Sequence, residues 1–405
     1  MTHEDELRAT RLAYIALAHL VEPGRRDLGV LVRQVGPTVA LRDLVAGNVG
    51  DDLRQVVAPR LATIAPRGRF AEALLHAARA TVDAERLGVE LLTPVDDGWP
   101  HQLDDLVRLS VEGRGTVDRH TDPPLCLWVR GAEPLADACD RSVAMIGARA
   151  ATAYGEHMAT ELAFGLAQRG WTVVSGGAFG IDAAAHRGAL AAGGVTVAIL
   201  ACGVDRPYPV SLSGMFERIV DAGGLLLSEW PPGSDPHRAR FLVRNRVIAA
   251  LTRGTVMVEA GARSGARFTL HRAMRLGRPA LVVPGPATSA SSVGCHEEAR
   301  EEGVRLVATV ADIVEDVGRI GLDLASPRRA PERDADVLTD LQAQVLDGVR
   351  QRAARTAEEV AAAAGVSSRD ARATLPALAE LGFVVASPDG RYRLARRVNP
   401  DGVAT

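Results

Sequence analysis

Val143-Ala144-Met145-Ile146-Gly147-Ala148-Arg149, and then Thr172-Val173-Val174-Ser175-Gly176-Gly177-Ala178-Phe179-Gly180-Ile181-Asp182, are the segments whose reading decides the fold. Each is an apolar run of strand length that stops at glycine and is followed by a helix-length pattern, the opening of a β-α-β repeat. The alternation continues through strand candidates Val195–Leu200, Leu225–Ser228, Thr255–Glu259 and Ala280–Pro284. Helical patterns lie between them near 156–169, 181–192, 212–222, 241–251 and 266–276. Such alternation implies right-handed crossovers and a mostly parallel sheet with helices on both faces. The expected fold class is α/β, a Rossmann-like domain over residues 122–322.

Working outward, residues 5–20 read as an amphipathic helix, and short helical patterns continue to Leu92. They suggest a small helical domain over 1–92, of SAM or helix-hairpin-helix type, because Val35-Gly36-Pro37 resembles a hairpin turn. Pro94 to Pro124 reads as a polar connection. On the other side, Ser326 to Asp336 reads as a linker. Helical stretches Leu338–Val349, Thr356–Ala364 and Ser367–Leu381 then lead to Val384-Val385, a Pro388-Asp389-Gly390 turn and Tyr392-Arg393-Leu394. Three helices and a hairpin predict a winged helix over 337–397, with Pro376 expected to kink the third helix.

With 405 residues, 47% of them apolar, the chain has core enough for two to three domains. The formal net charge is −3, so a polyanion site must come from local clustering. No apolar run is long enough to span a membrane and the acidic start does not read as a secretory signal, which together with four unpaired-looking cysteines predicts a cytoplasmic protein. Neither metal nor cofactor is signalled. All 47 basic residues are arginine. The absence of lysine excludes a Walker-A lysine and every Schiff-base mechanism.

Ligands of open α/β sheets bind beyond the carboxyl ends of the strands. Glycines, hydroxyls and arginines gather there: Gly147-Ala148-Arg149, Ser175-Gly176-Gly177-Ala178-Phe179-Gly180, and Ala260-Gly261-Ala262-Arg263-Ser264-Gly265. Glycine loops opening a helix present free N–H groups to phosphate, although tight turns need the same glycines. Asp182 reads as a first-turn helix partner rather than a ligand. Between Trp230 and Arg278 stand Arg238, Arg240, Arg244, Arg246, Arg253, Arg263, Arg267, Arg272, Arg275 and Arg278, opposed only by Asp235 and Glu259. A solvated helix face usually mixes in carboxylates for i,i+4 pairing, so this run reads as a polyanion footprint. Phe241 is spaced to stack on a base or to anchor the core, and spacing does not separate the two. His186 reads as structural. The candidate DNA- or phosphate-binding set is Arg149, Ser175, Gly176, Gly177, Gly180, Phe241, Arg244, Asn245, Arg246, Arg263, Ser264, Gly265 and Arg267. No hydrolytic motif supplies a catalytic residue.

Met145 to Arg149, Val174 to His186, Tyr208-Pro209, Leu227-Ser228-Glu229, Phe241-Leu242-Val243-Arg244-Asn245-Arg246-Val247-Ile248-Ala249, Ser264-Gly265, Val283-Pro284-Gly285 and Gly294-Cys295 occur in the order of the DprA/Smf (DNA-processing protein A) family, which this chain resembles over about 122–320. It departs at Phe179, where the family usually has arginine, at Leu242-Val243 in place of Pro-Lys, and at His296 in place of asparagine. The resemblance implies an extended Rossmann domain, homodimerisation, single-stranded DNA binding and loading of the RecA recombinase in natural transformation, without enzymatic turnover.

Two rival functions have weaker sequence support. A nucleotide-binding or nucleotide-hydrolysing Rossmann enzyme would use Glu259, but the loop after it lacks the glycine pattern such enzymes need. A winged-helix transcription factor would read DNA with Arg369 and Arg372, which Asp370 and Glu380 offset; protein contact suits that module better.

Overall fold

The computed structural model describes residues 3–109, 120–319, 323, 338–351 and 353–395. Residues 1–325 form one compact unit and 326–405 a second. The expected linker 326–336 lies outside the described residues.

The first unit opens with five helices, α1 (His3–Leu20), α2 (Arg26–Val35), α3 (Pro37–Ala46), α4 (Asp51–Ile64) and α5 (Phe70–Arg86). Gly36 alone separates α2 from α3, and its φ of 80° supplies the turn that a side-chain-bearing residue would resist. Strands β1 (Val89–Leu92) and β2 (Leu127–Arg130) follow, then α6 (Leu135–Asp140), β3 (Ser142–Gly147), α7 (Ala153–Ala167), β4 (Thr172–Ser175), α8 (Ile181–Ala191) and β5 (Thr196–Leu200). The chain continues through α9 (Ser213–Asp221), β6 (Leu225–Ser228), α10 (Arg238–Leu251), β7 (Gly254–Glu259), α11 (Ala266–Arg275), β8 (Ala280–Val282), α12 (Val293–Glu298), β9 (Val304–Leu306) and α13 (Val310–Val317).

The strands form one sheet in the order β1-β2-β6-β5-β4-β3-β7-β8-β9. The six anticipated strands and β9 pair in parallel; β1 and β2 join antiparallel at one edge. Alternation along β3 sorts side chains to two layers. Val143 and Met145 pack in the cluster containing Leu162, Ala184 and Ile313, whereas Ala144 and Ile146 pack in that containing Val247, Ile248 and Leu270. Parallel strands covered on both faces are apolar in nearly every position, and β3, β4 and β5 are buried almost throughout.

One boundary differs from expectation. Helices α1, α3 and α5 share a continuous core with Trp128 of β2 and Phe216 of α9, and β1, placed by sequence in the helical region, belongs to the sheet. The N-terminal helices are therefore a layer on the α/β unit, not a separate body.

The second unit contains α14 (Asp340–Asp347), α15 (Ala357–Ala364), α16 (Ser368–Glu380) and an antiparallel pair, β10 (Val384–Ala386) with β11 (Tyr392–Leu394). Thr339 and Thr356 start α14 and α15 with reciprocal capping boxes to Gln342 and Glu359. Val345, Val360, Leu375, Leu378 and Phe383 form its core, and α16 runs on through Pro376 to Glu380. Among the described residues, no helix is long and apolar enough to cross a membrane.

Candidate nucleic-acid interface

From β3 the chain builds outward to β4, β5 and β6 on one side; from β7 it builds to β8 and β9 on the other. The carboxyl ends of β3 and β7 therefore flank the point where strand order reverses, where a crevice opens in this class of sheet. A cleft of about 380 Å³ lies there. Its walls come from the end of β3 and the loop after it (Gly147, Arg149), the loop after β7 (Arg263, Ser264, Gly265), the first turns of α10 (Arg238, Phe241, Leu242, Arg244, Asn245) and α11 with Phe268 and Thr269. Helix α10 reaches it because it is the crossover from β6 to β7 and must pass over β5, β4 and β3.

Close backbone approach holds these walls. Ala148 N–H donates to the Glu259 carbonyl at 2.7 Å, tying the ends of β3 and β7. A Cβ on Gly147 would stand 2.5 Å from Ile181 Cγ1 and 2.8 Å from that carbonyl. The Glu259 carboxylate, buried, accepts from Thr152 N and Oγ1 at 2.8 Å each, so both oxygens are committed to starting α7.

Arg244 lies at the floor, 4% exposed. It donates to the carbonyls of Gly176, at 2.7 Å, and Ile199, and to Asn245 Oδ1 at 3.1 Å. None of these partners carries charge. Burial pushes its pKa down to about 10, which still leaves the guanidinium charged at neutral pH. The carboxylate nearest in its electrostatics is Asp182, whose pKa burial raises against the pull of Arg244. Asp182 accepts from Ala178 N–H at 3.3 Å, a first-turn helix contact. On the rim, Arg149, Arg238 and Arg263 are exposed and form no ion pair among the described residues. Four guanidinium groups against the one carboxyl of Asp182 give the cleft an excess of positive charge, which favours an anion.

The sequence-derived set divides. Arg149, Phe241, Arg244, Asn245, Arg263, Ser264 and Gly265 line the cleft; Ser175, Gly176, Gly177, Gly180, Arg246 and Arg267 do not. Arg246 is fully buried on the opposite side of α10, where Nη1 and Nη2 each bond Glu229 at 2.6 Å and Nε bonds the Asp122 carbonyl at 3.0 Å. It is a core ion pair, not a phosphate ligand. Arg267 is turned to Glu298 and Glu297 at 2.5 and 2.7 Å. The glycine loop after β4 supports the site from behind. Ser175 Oγ donates to the Met145 carbonyl at 2.6 Å, and Gly177 and Gly180 hold φ of 67° and 72°. A Cβ on Gly180 would press within 2.3 Å of the Ala148 carbonyl, and one on Gly176 within 2.4 Å of the Arg244 guanidinium. Gly176 thus makes room for the Arg244 side chain, Gly177 for the Phe216 ring and Gly180 for the backbone of Ala148 and Arg149.

Phe241 is half-buried and already engaged. The Arg149 guanidinium stands 4.8 Å over its ring, and Tyr208 meets it edge-on at 6.0 Å. His186 is buried with Nδ1 on Thr196 Oγ1 at 2.7 Å, a structural histidine. Sequence reasoning missed Phe268 and Thr269 as lining residues, and left Arg238 in the arginine run without a place at the site. Arg238 carried a signal, since it opens a helix on the side of the sheet where strands end.

Comparison with known proteins gives a consistent result. The family model for DNA recombination-mediator protein A matches residues 90–318. A DNA processing protein DprA from Mycobacterium tuberculosis (strain H37Rv) is 42% identical over 391 residues, 96% of this chain and 95% of that protein. Protein Smf of Escherichia coli (strain K12) is 33% identical over 285 residues, 68% of this chain and 73% of its own. The X-ray structure of DNA processing protein A from Streptococcus pneumoniae superimposes with a TM-score of 0.59 at 27% identity, covering 77% of this chain and 98% of that one. A model spanning more than half of the sequence, near-complete coverage by a relative at 42% identity, and a shared fold establish that the chain belongs to the DNA recombination-mediator protein A (DprA/Smf) family.

Proposed function

We propose that the chain binds single-stranded DNA in the cleft between β3 and β7, shields it, and passes it to the RecA recombinase during DNA uptake and recombination. The observation that carries this reading is the cleft itself: Arg149, Arg238, Arg244 and Arg263 converge on it without a charged partner bonded to any of them. Helices α10 and α11 lie against the sheet, and neither stands out to enter a duplex groove, which duplex readers require. A cationic groove with aromatic rings suits a flexible strand. The names borne by the relatives, DNA processing protein A and DprA, agree with a DNA substrate. In the same reading the protein works as a cytoplasmic homodimer without catalytic turnover. Residues 337–397 are then a winged helix used for protein contact, and the N-terminal layer is of SAM type.

Fluorescence anisotropy with labelled oligonucleotides across a salt series tests the central claim. Single strands should bind more tightly than duplex of the same length, with a log–log salt slope of about −0.7 per phosphate neutralised. Arg149→Ala should weaken binding to every sequence and flatten the slope by about 0.7, leaving the melting temperature unchanged. Equal or tighter binding to duplex at matched salt overturns the proposal. RecA assembly on the bound strand, followed by its DNA-stimulated ATPase, tests the hand-over.

A further inference from the structure

Phe268 is the most exposed aromatic side chain among the described residues, at 58%. It belongs to none of the hydrophobic clusters and makes no ring contact among those residues. At that exposure more than half of the ring's apolar surface is left in water, which stabilises the fold little. The ring is not on an arbitrary stretch of surface, however. It projects from the first turn of α11 and lines the cleft, together with Arg149, Arg238 and Arg263. An exposed aromatic among unpaired cations is the combination that holds single-stranded nucleic acid, cations on phosphates and rings on bases. Phe241, whose sequence position suggests the same role, is already engaged, with Arg149 over one face and Tyr208 in a T-shaped contact.

We infer that Phe268 is the base-stacking platform of this cleft, and that Phe241 instead orients Arg149 toward the phosphates. The inference rests on the proposed binding of single-stranded DNA and adds the residue that would recognise a nucleobase. It also separates two kinds of contact on one rim: Phe268 contributes affinity without charge, whereas Arg149 contributes charge without base contact.

The test is a cycle with the full chain and two oligonucleotides of equal length, one of normal nucleotides and one of abasic residues with the same number of phosphates. Failure of the unaltered protein to bind either strand at low salt would refute the underlying DNA-binding proposal, not the assignment of Phe268. Given binding, Phe268→Ala should lose at least about fivefold in affinity for the normal strand. Its loss on the abasic strand should be under about twofold, and its salt slope should be unchanged because no phosphate contact is removed. Phe268→Trp should restore affinity and Phe268→Leu should not. Phe241→Ala should behave differently, weakening both strands and flattening the slope as Arg149 loses its support. Undiminished affinity of Phe268→Ala for the normal strand, or equal losses on the two strands, would overturn the inference. The ring is exposed, so the melting temperature of Phe268→Ala should match that of the unaltered protein, and a lowered value would also count against a purely binding role.

Discussion

Replacing Arg246 by alanine separates the two readings of the arginine run more cleanly than any other change. Arg246 is 0% exposed and Glu229 3%, and the two share a bidentate pair of 2.6 Å bonds, with a third bond from Nε to the Asp122 carbonyl. Truncation leaves the Glu229 carboxylate buried without its cation and the Asp122 carbonyl without a donor. Breaking a buried pair from one side costs about 3–5 kcal/mol, a large fraction of the roughly 5–15 kcal/mol by which domains are stable. At roughly 2–4 °C per kcal/mol, the melting temperature should fall by about 6 °C or more. DNA affinity of the folded fraction should stay within about twofold and the salt slope should not move, since Arg246 faces no phosphate. The pair Arg246→Met with Glu229→Leu should recover much of the loss, because an apolar pair of similar volume often replaces a buried ion pair without penalty. Differential scanning calorimetry and anisotropy on the same preparations read both quantities. An unchanged melting temperature together with weakened binding and a slope flattened by about 0.7 would refute the assignment.

Two further outcomes follow from the same geometry. Gly176→Ala places a methyl group 2.4–2.6 Å from the Arg244 guanidinium, so it should displace Arg244 from the cleft floor. Affinity for single strands should drop roughly tenfold, one lost charge-assisted contact; unchanged affinity would remove Arg244 from the site. Burial holds the pKa of His186 down at about 3 and that of His19 at about 4, while the unfolded chain protonates its histidines near 6.5. Below that pH the unfolded state binds more protons, so stability is complete above about 6.5 and falls by up to about 1.4 kcal/mol per pH unit per histidine toward about pH 4. His19→Gln should lessen that slope in denaturant titrations between about pH 7 and pH 5, and a pH-independent stability in the unaltered chain would contradict the burial argument.

Most of the sheet was legible because buried parallel strands announce themselves. Runs such as Val143–Gly147 and Thr172–Ser175 are mostly β-branched or small, stop at or just before glycine, and sit between helix-length patterns. The three strands that escaped notice, Val89–Leu92, Leu127–Arg130 and Val304–Leu306, are three or four residues long and lie in the outer parts of the sheet. Strands β4, β6 and β8 are as short but stand within the regular alternation with helix-length patterns, which these three lie outside. The boundary placed at Leu92 failed for a related reason. Nothing local to Val89–Leu92 shows that it pairs with Leu127–Arg130 across a long connection, register Val89 with Arg130.

The site was harder to read, because counting carboxylates near an arginine in sequence does not count those near it in space. Only Asp235 and Glu259 interrupt the arginine run, yet Arg240 finds Glu22 218 residues away, Arg246 finds Glu229 17 away, and Arg267 finds Glu298 31 away. Local scarcity of acid therefore overstated the free charge. Position on the fold is the better discriminator. The rim arginines left without an ion pair, Arg149, Arg238 and Arg263, stand in the loops after β3 and β7 or at the first residue of α10, all on the side where the strands end. Arginines within α10 and α11 turn to acids or carbonyls of the protein, as Arg246, Arg267 and Arg272 do. Arg244 stands between the groups: its helix points it inward, but it meets carbonyls instead of a carboxylate, so its charge remains available at the cleft floor. An arginine in a doubly wound protein should thus be weighted by whether the fold sets it at the carboxyl edge of the sheet, and only then by the acidity of its neighbours in sequence.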